Sequence, residues 1–513
     1  MRAAALIGAL AAALAVAAPA AASPVWRVDG DRVVQQQDPA LPAQAGDLPL
    51  NPATGCATAA SAAPQATAAG GASVRAVLLR DLRKGALTQA VYEQYRDQYK
   101  QAQATVRRLS GIRRLNLAGV VRSMDRISRS GLFTVSRMPA LFFQLQHNVE
   151  FWPSTRLPRI PPPTPSPCRY FAQKAGYVTP VRYVFDDSPI VFEYYPGNGL
   201  QLQPLANFGK ANALANACKG VYGPKVPCHL DQLKTLLDAL VATASTRGGF
   251  TTWEYWFPFG GGGPPWTSGL SQGTAIQALV QGAQLLNDPH YVDIARSALG
   301  AFTTPPPNGV LTHAFGGDWY LQYSFDRRLF ILNGFLQSLN GIFDLAKATG
   351  DPAAQAIFTR GDRAAQNAIP HYDTGAWSLY SLGGAESDLN YHRVVRDFLK
   401  GLCQRTSEQT YCHYSQKFTD YLSQHPKLDF LGASGARAKH AVALRFRLSK
   451  ISCVNVQVKR GGKLAYAGRL QFPYGVHGFS WVPRAPGTYD VTFTTIDYLN
   501  HHVVTGGRVT VKR

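Results

Sequence analysis

Two short motifs, Asn287-Asp288-Pro289 and Gly350-Asp351-Pro352, constrain this chain more than any other feature. Each separates two runs whose apolar residues recur at three- and four-residue steps, 276–286 from 291–299 and 332–348 from 353–369. A Pro that follows Asn or Gly by two residues ends one helix and opens the next. The two turns lie 63 residues apart, as in a repeated helix pair. Helical hairpins stacked around an axis, with aromatic loops at one end, predict a mainly α protein with an (α/α) toroid or barrel spanning residues 165–430.

The period changes on either side of that region. After the run Pro161-Pro162-Pro163, residues 177–195 are rich in Val, Tyr, Phe and Ile and are broken by Asp186-Asp187-Ser188-Pro189, which predicts a small β-hairpin region ahead of the helices. Near the C-terminus Val442, Leu444, Phe446 and Leu448 alternate, as do Val454, Val456 and Val458, and Tyr489, Val491 and Phe493. Short alternating strands punctuated by Gly461-Gly462, Pro486-Gly487 and Gly506-Gly507 predict an immunoglobulin-like β-sandwich over 436–513, an accessory domain that packs on the helices or attaches to a surface.

The N-terminus reads as an export signal over residues 1–22, with Arg2, an apolar stretch from Ala3 to Ala18, and small residues Ala20-Ala21-Ala22. A retained signal anchor is the alternative, and either places the folded part in a secreted or envelope setting, with a bacterial surface as the expected context. Residues 23–73, mostly Ala, Pro, Gln and Thr, are expected to be a low-complexity linker. Residues 74–160 are expected to be basic helices, and between Arg75 and Arg137 fourteen Lys and Arg face four acidic residues. The whole chain of 513 residues carries a formal charge of +21, which suits an acidic polymer or anionic surface. Nucleic acid is not expected, because no recognition motif is present. A content of 46% hydrophobic residues excludes a wholly disordered chain. No apolar run beyond the signal reaches the roughly 18–20 residues of a membrane span. The oligomeric state is left open, a homodimer among the options.

Cys218 with Cys228, and Cys403 with Cys412, bracket short polar loops and are expected to pair locally. Cys56, Cys168 and Cys453 remain without an assignable pairing. No Cys or His spacing suggests a metal site.

Two familiar motifs fail on context. Gly269-Leu270-Ser271-Gln272-Gly273 has the G-x-S-x-G pattern of a nucleophile elbow, but Pro264 and Pro265 and a run of glycines precede it where a buried strand is needed. The glycine run 260–263 lacks the Gly-Lys-Ser/Thr of a phosphate loop. Polar aromatics are the stronger signal: Trp253, Tyr255, Trp256, Trp319, Tyr320, Tyr323, Tyr372, Trp377, Tyr380 and Tyr391 lie in or beside Gly-containing loops, as in sites where rings stack on sugars and their polar tips bind hydroxyls and carboxylates.

The segments Tyr195–Pro204, Ser271–Ile276, Asp318–Tyr323, Leu332–Phe335, Tyr372–Gly375, Ser378–Tyr380 and Tyr391-His392 occur in the order, and at nearly the spacing, of D-glucuronyl C5-epimerases. The chain resembles the C-terminal catalytic domain of that family over about residues 190–400. The resemblance implies inversion at C5 of D-glucuronate within an acidic polysaccharide, giving L-iduronate, without a cofactor. It implies acid–base roles for Tyr323, Tyr380 and Tyr391 and substrate contact by Asn333, with Trp319, Gln272, His392 and Arg327 as further binding candidates. The chain departs from the family pattern at Gln322, Gly383 and Val395, where the family has Glu, Arg and His. Asp326 could replace the lost acid, and Arg327, Arg328 or Arg393 the lost cation. The rival readings are a polyuronide lyase, which starts from the same proton abstraction, and a non-catalytic binder of acidic polysaccharide.

Overall fold

The computed structural model describes residues 23–30, 32–40, 71–154, 168, 181–433 and 435–513. The expected export signal and Cys56 lie outside the described residues.

Four helical hairpins form the centre. They are α5 (Pro204–Cys218) with α6 (Leu230–Ala242), α7 (Gly269–Leu286) with α8 (His290–Ala298), α9 (Leu332–Thr349) with α10 (Pro352–Ala368), and α11 (Leu389–Thr406) with α12 (Gln409–Tyr421). The first helix of each pair packs on the first helix of the next, so α5, α7, α9 and α11 make an inner layer covered by the others. Local chemistry sets the turns. Asn287 and Gly350 end α7 and α9 in the left-handed conformation, with φ of 52° and 65°. Asp351 then caps α10 by accepting from the backbone N–H groups of Ala353 and Ala354, with Pro352 at the first position. Disulfides Cys218–Cys228 and Cys403–Cys412 staple the turns within two of the hairpins.

Glycine sets the closest contact in the inner layer. A Cβ on Gly341 of α9 would lie 1.9 Å from the carbonyl oxygen of Gly273 on α7, and one on Gly273 would lie 2.5 Å from Ser338 Cα.

The expected linker needs correction over residues 23–38, and so does the hairpin; residues 41–70 of the linker lie outside the described residues. Ser23–Asp29 (β1) and Arg32–Asp38 (β2) pair antiparallel, and β1 continues parallel into Arg182–Phe185 (β3), followed by Val191–Tyr195 (β4) and Gly199–Leu202 (β5). The result is one mixed sheet in the order β2-β1-β3-β4-β5 rather than a lone hairpin behind a loose arm. Val25 and Val28 supply the buried face, a short apolar signal hidden inside a composition dominated by Ala, Pro and Gln.

Of the helices α1 (Val74–Arg83), α2 (Gln89–Arg108), α3 (Gly111–Arg129) and α4 (Met138–Phe151), α3 and α4 cover the β5 edge of this sheet and α1 and α2 pack on them. The Asn148 side chain accepts from Leu200 N and donates to its carbonyl, and Gln144 accepts from Leu202 N, so the edge backbone is satisfied by α4. The basic face is smaller than charge counting implies. Arg80 and Arg96 pair with their neighbours Asp81 and Asp97, and Arg137 is fully enclosed. Arg137 binds Glu254 at 2.7 and 3.0 Å, and Arg247 and Ser245 hold the same carboxylate. With the two guanidinium groups beside it, Glu254 stays below the usual carboxylate range although burial opposes that charge.

The C-terminal part holds two antiparallel sheets. One contains β10 (Leu428–Gly432), β11 (Val442–Leu448) and β14 (Gly475–Trp481), and the other β12 (Ser452–Arg460), β13 (Lys463–Phe472), β15 (Gly487–Ile496) and β16 (His502–Val511). Their inner faces share a core of Leu444, Phe446, Val456, Val458, Phe479 and Phe493. The sandwich is not merely appended, because Ile451 and Cys453 are buried in the helical core and Cys453 is bonded to Cys168.

Replacing Gly341 by Ala should lower stability by about 1–3 kcal/mol, since the methyl group meets backbone that cannot rotate away. Urea unfolding of the two proteins measures it; an unchanged midpoint would mean that α7 and α9 separate without cost.

Candidate active site

Tyr195, Tyr255, Phe257, Phe259, Trp266, Tyr323, Ile331, Tyr380 and Tyr391 form an apolar cluster separate from the main core, with Phe325 and Leu329 against it. Three segments far apart in sequence bring the candidate tyrosines into it.

The first follows β8 (Leu311–Ala314) and β9 (Gly317–Tyr320), the second of two short strand pairs among the hairpins, the other being β6 (Ser245–Arg247) with β7 (Phe250–Thr252). Backbone bonds from Gly269 N to Leu321 O and from Ser324 N to Thr267 O clamp it against the start of α7. Tyr323 stacks on Phe325 and meets the edge of Trp266 at 5.7 Å. Gln322 donates its amide N–H to the Tyr323 hydroxyl at 3.1 Å. A donor at that oxygen favours the phenolate, whereas a carboxylate there would favour the phenol.

The second segment is the tight hairpin 378–387. Tyr380 N bonds Ala385 O, Ser387 N bonds Ser378 O, and Gly383 sits exposed at the tip with φ of 68°. The third is the first turn of α11, where Asp388 caps the helix by accepting from Tyr391 N at 2.8 Å. Burial raises the Asp388 carboxyl to about 6. The Tyr380 and Tyr391 rings meet at 4.7 Å.

Asn333 stands between these segments. Its neighbour Leu332 donates to Tyr380 O, and its other neighbour Gly334 leaves room for Gln322, whose oxygen would lie 2.7 Å from a Cβ there. Asn333 itself is fully buried, and neither atom of its amide has a hydrogen-bond partner. An unpaired buried amide costs several kcal/mol in apolar surroundings, so an occupant that bonds it is the natural resolution.

The other binding candidates are not members of the cluster. Trp319 is buried in the main core between Phe335 at 3.9 Å and Tyr372 at 6.2 Å. Gln272 is spent on the backbone of Thr251 and Trp253. His392 stacks on Trp377 at 3.6 Å and bonds Ser378 Oγ and Phe418 O, and burial drives it down to about 3, so it is neutral. Arg327 is exposed and bonds the Pro306 carbonyl. The contacts of Trp319, Gln272 and His392 hold loops and helices together. Tyr195 belongs to the cluster but was not among the candidates; its hydroxyl donates to buried Glu193 at 3.0 Å and accepts from Gln203 at 2.9 Å, and Arg182 completes the pair with Glu193 at 2.8 Å. The segment Tyr195–Pro204 contained that signal.

The sandwich reaches the second segment directly. Glu386, in the hairpin beside Tyr380, accepts Ile451 N at 3.0 Å and Tyr474 N at 2.6 Å. Burial raises its carboxyl to about 7, against those two donors and Lys450. Lys450 is itself buried, paired with Asp497 at 2.8 Å and lying over Trp377.

Residues 247–420 match the family described as the D-glucuronyl C5-epimerase C-terminus. A D-glucuronyl C5-epimerase of Caenorhabditis elegans is 29% identical over 197 residues, 34% of this chain and 30% of that protein. An uncharacterized protein of Methanocaldococcus jannaschii is 25% identical over 178 residues, 33% of this chain and 58% of that protein. The chain thus spans less than two thirds of either relative. Among solved structures, a sugar epimerase from a ruminal bacterium superposes with a TM-score of 0.30 at 10% identity, over 43% of this chain and 58% of that one, too distant to place any residue. The family match contains Tyr323, Asn333, Tyr380 and Tyr391; it leaves out α1–α4, the mixed sheet and the sandwich.

An acid with a raised folded-state pKa contributes stability that is complete below its unfolded value and is lost as pH rises through the folded one. For Glu386 that window runs from 4.5 to about 7. Across it, the melting temperature of Glu386→Gln should gain steadily on that of the parent. Parallel pH profiles would refute the assignment.

Proposed function

We propose that this chain epimerises C5 of D-glucuronate residues within an acidic polysaccharide toward L-iduronate, with Tyr323 on one side of the sugar and Tyr380 or Tyr391 on the other. The coarser part, a carbohydrate epimerase, is supported by the match over 247–420 and by the Caenorhabditis elegans relative. The observation that carries the finer part is Asn333, a buried amide with both ends unpaired, set between the segments that bear Tyr323 and Tyr380.

The chemistry suits these groups. The C5 proton lies next to a carboxylate, so its removal builds negative charge on that carboxylate, and preorganised donors lower the barrier. An Asn amide supplies a donor without adding a competing acid. Inversion needs one base and one acid on opposite faces, and tyrosine, with a free pKa of ~10, serves once its environment is tuned. Gln322 places an amide donor at the Tyr323 hydroxyl. The proton leaves and returns at one carbon, so the reaction needs no redox partner.

The substrate polymer, export from the cytoplasm, and action in a bacterial envelope or outside the cell belong to the same proposal, supported by the +21 charge and the N-terminal pattern. No described helix is long and apolar enough to cross a membrane. The immunoglobulin-like reading of the sandwich is supported by its strand order, three strands facing four with β12 and β15 central.

Deuterium uptake at C5 from heavy water, on polymers such as heparosan, tests the reaction. Replacing Tyr323, Tyr380 or Tyr391 by Phe should reduce exchange ~10²–10⁴-fold while the rings keep their packing. Tyr320 and Tyr372 are controls, because their hydroxyls are committed to the carbonyls of Ile357 and Phe330. Their Phe variants should exchange nearly normally and lose only about 1 kcal/mol of stability. Near-normal exchange in the first three variants would sink the site assignment. Chain shortening with a new unsaturated chromophore would identify a lyase instead.

A further inference from the structure

Charge is distributed unevenly along the chain. Residues 433–513 carry thirteen Lys and Arg against Asp490 and Asp497, a net +11 of the chain's +21. The strand register shows where that charge collects. Strands β12, β14 and β16 leave the helical junction, while β11, β13 and β15 run toward it, so their opposite ends share one distal pole. At that pole Arg460 pairs with Lys463 across a hairpin, and Gly487 pairs with Val511. Backbone bonds join Lys512 N to Ala436 O, Ala438 N to Lys512 O, and Lys439 N to Pro483 O. Arg437, Lys439, Arg460, Lys463, Arg484, Lys512 and Arg513 therefore converge there, all exposed. Among the described residues none of the seven makes an ion pair, and the nearest carboxylate along the strands, Asp490, is held by Arg508.

Seven like charges at one end of a small sandwich repel one another unless an anion covers them. Their spread across several loops fits a chain of repeated negative charges better than a single small anion. We propose that this distal pole docks the acidic polysaccharide itself, holding a remote stretch of the polymer whose other stretch lies among the tyrosines. This rests on the reading of the tyrosine cluster as a polyuronate site. The pole lies about 30 Å from the junction at Glu386, the length of a nine-residue strand at ~3.3 Å per residue, so only a long chain engages both. Tethering through the pole raises the effective concentration of polymer at the site.

The test measures binding, which is separable from turnover. The full chain with Lys439→Gln, Arg484→Gln and Lys512→Gln is compared with the parent and with Arg107→Gln, Arg114→Gln and Arg122→Gln, which remove the same charge from α2 and α3. Binding to long heparosan is titrated from low to high salt. The pole variant should bind about three- to hundredfold more weakly at low salt and show a flatter salt dependence, whereas the helix variant stays within about twofold. Short heparosan oligosaccharides should bind all three proteins alike. Equal loss in both variants would reduce the effect to net charge and overturn the proposal. So would unchanged binding by the pole variant, or binding to phosphatidylserine vesicles with none to heparosan. Normal polymer binding without C5 exchange in the parent would sink the epimerase reading and leave the pole standing.

Discussion

The near-contact of α7 and α9 at Gly273 and Gly341 is the constraint on which the rest of the site depends. With no side chain on either residue, the two helices meet backbone to backbone. That distance fixes the start of α9, where Asn333 sits, relative to the start of α7, which clamps the segment bearing Tyr323. Gly269 and Gly334 extend the same logic by admitting Leu321 and Gln322 at their own contacts. The groups proposed to handle one proton are thus held by small residues and main-chain bonds. Such supports keep their geometry better than long flexible side chains do.

A second set of interactions joins the sandwich to the helices through charges taken out of water. Lys450, Asp497 and Glu386 are all buried at the junction. Burial of ion pairs seldom adds much net stability, but it penalises every arrangement in which the partners fail to meet. Here the arrangement being selected is the hairpin with Tyr380, since Glu386 lies within it and Trp377, just before it, is pressed between His392 and Lys450. The sandwich is therefore part of the scaffold around the tyrosines, which explains why an apparently separate alternating core shares Ile451 and Cys453 with the helices.

Periodicity was legible wherever it ran long. Two of the helix pairs stood out because the Asp-Pro turns and the apolar spacing agree, and the C-terminal strands because alternation persisted through runs such as Val442–Leu448 and Gly487–Ile496. The strands Ser23–Asp29 and Arg32–Asp38 were not legible, since β3, the partner that joins β1 to the sheet, pairs Tyr183 with Trp26 far along the chain and nothing local announces a parallel pairing. The polar aromatics pointed to the right loops but could not say which rings face inward. Trp319 and Tyr323 are four residues apart, yet one belongs to the main core and the other to the tyrosine cluster, because the chain leaves the strand between them. The pairing of Cys168 with Cys453 spans 285 residues and depends on domain docking, which no spacing rule contains.

The enclosed Glu254 carries a consequence for how chains of this kind change over time. It binds Arg137 from the α1–α4 region and Arg247 beside the hairpins, so a single carboxylate holds cations from two structural units. Losing the acid leaves two buried guanidinium groups uncompensated, a penalty of roughly 3–5 kcal/mol that few domains can absorb, whereas losing either arginine leaves a one-to-one pair. The order of replacement is therefore constrained. Drift can remove Glu254 only after both cations have gone, and a relative that lacks the Arg137 helices can keep the Arg247–Glu254 pair.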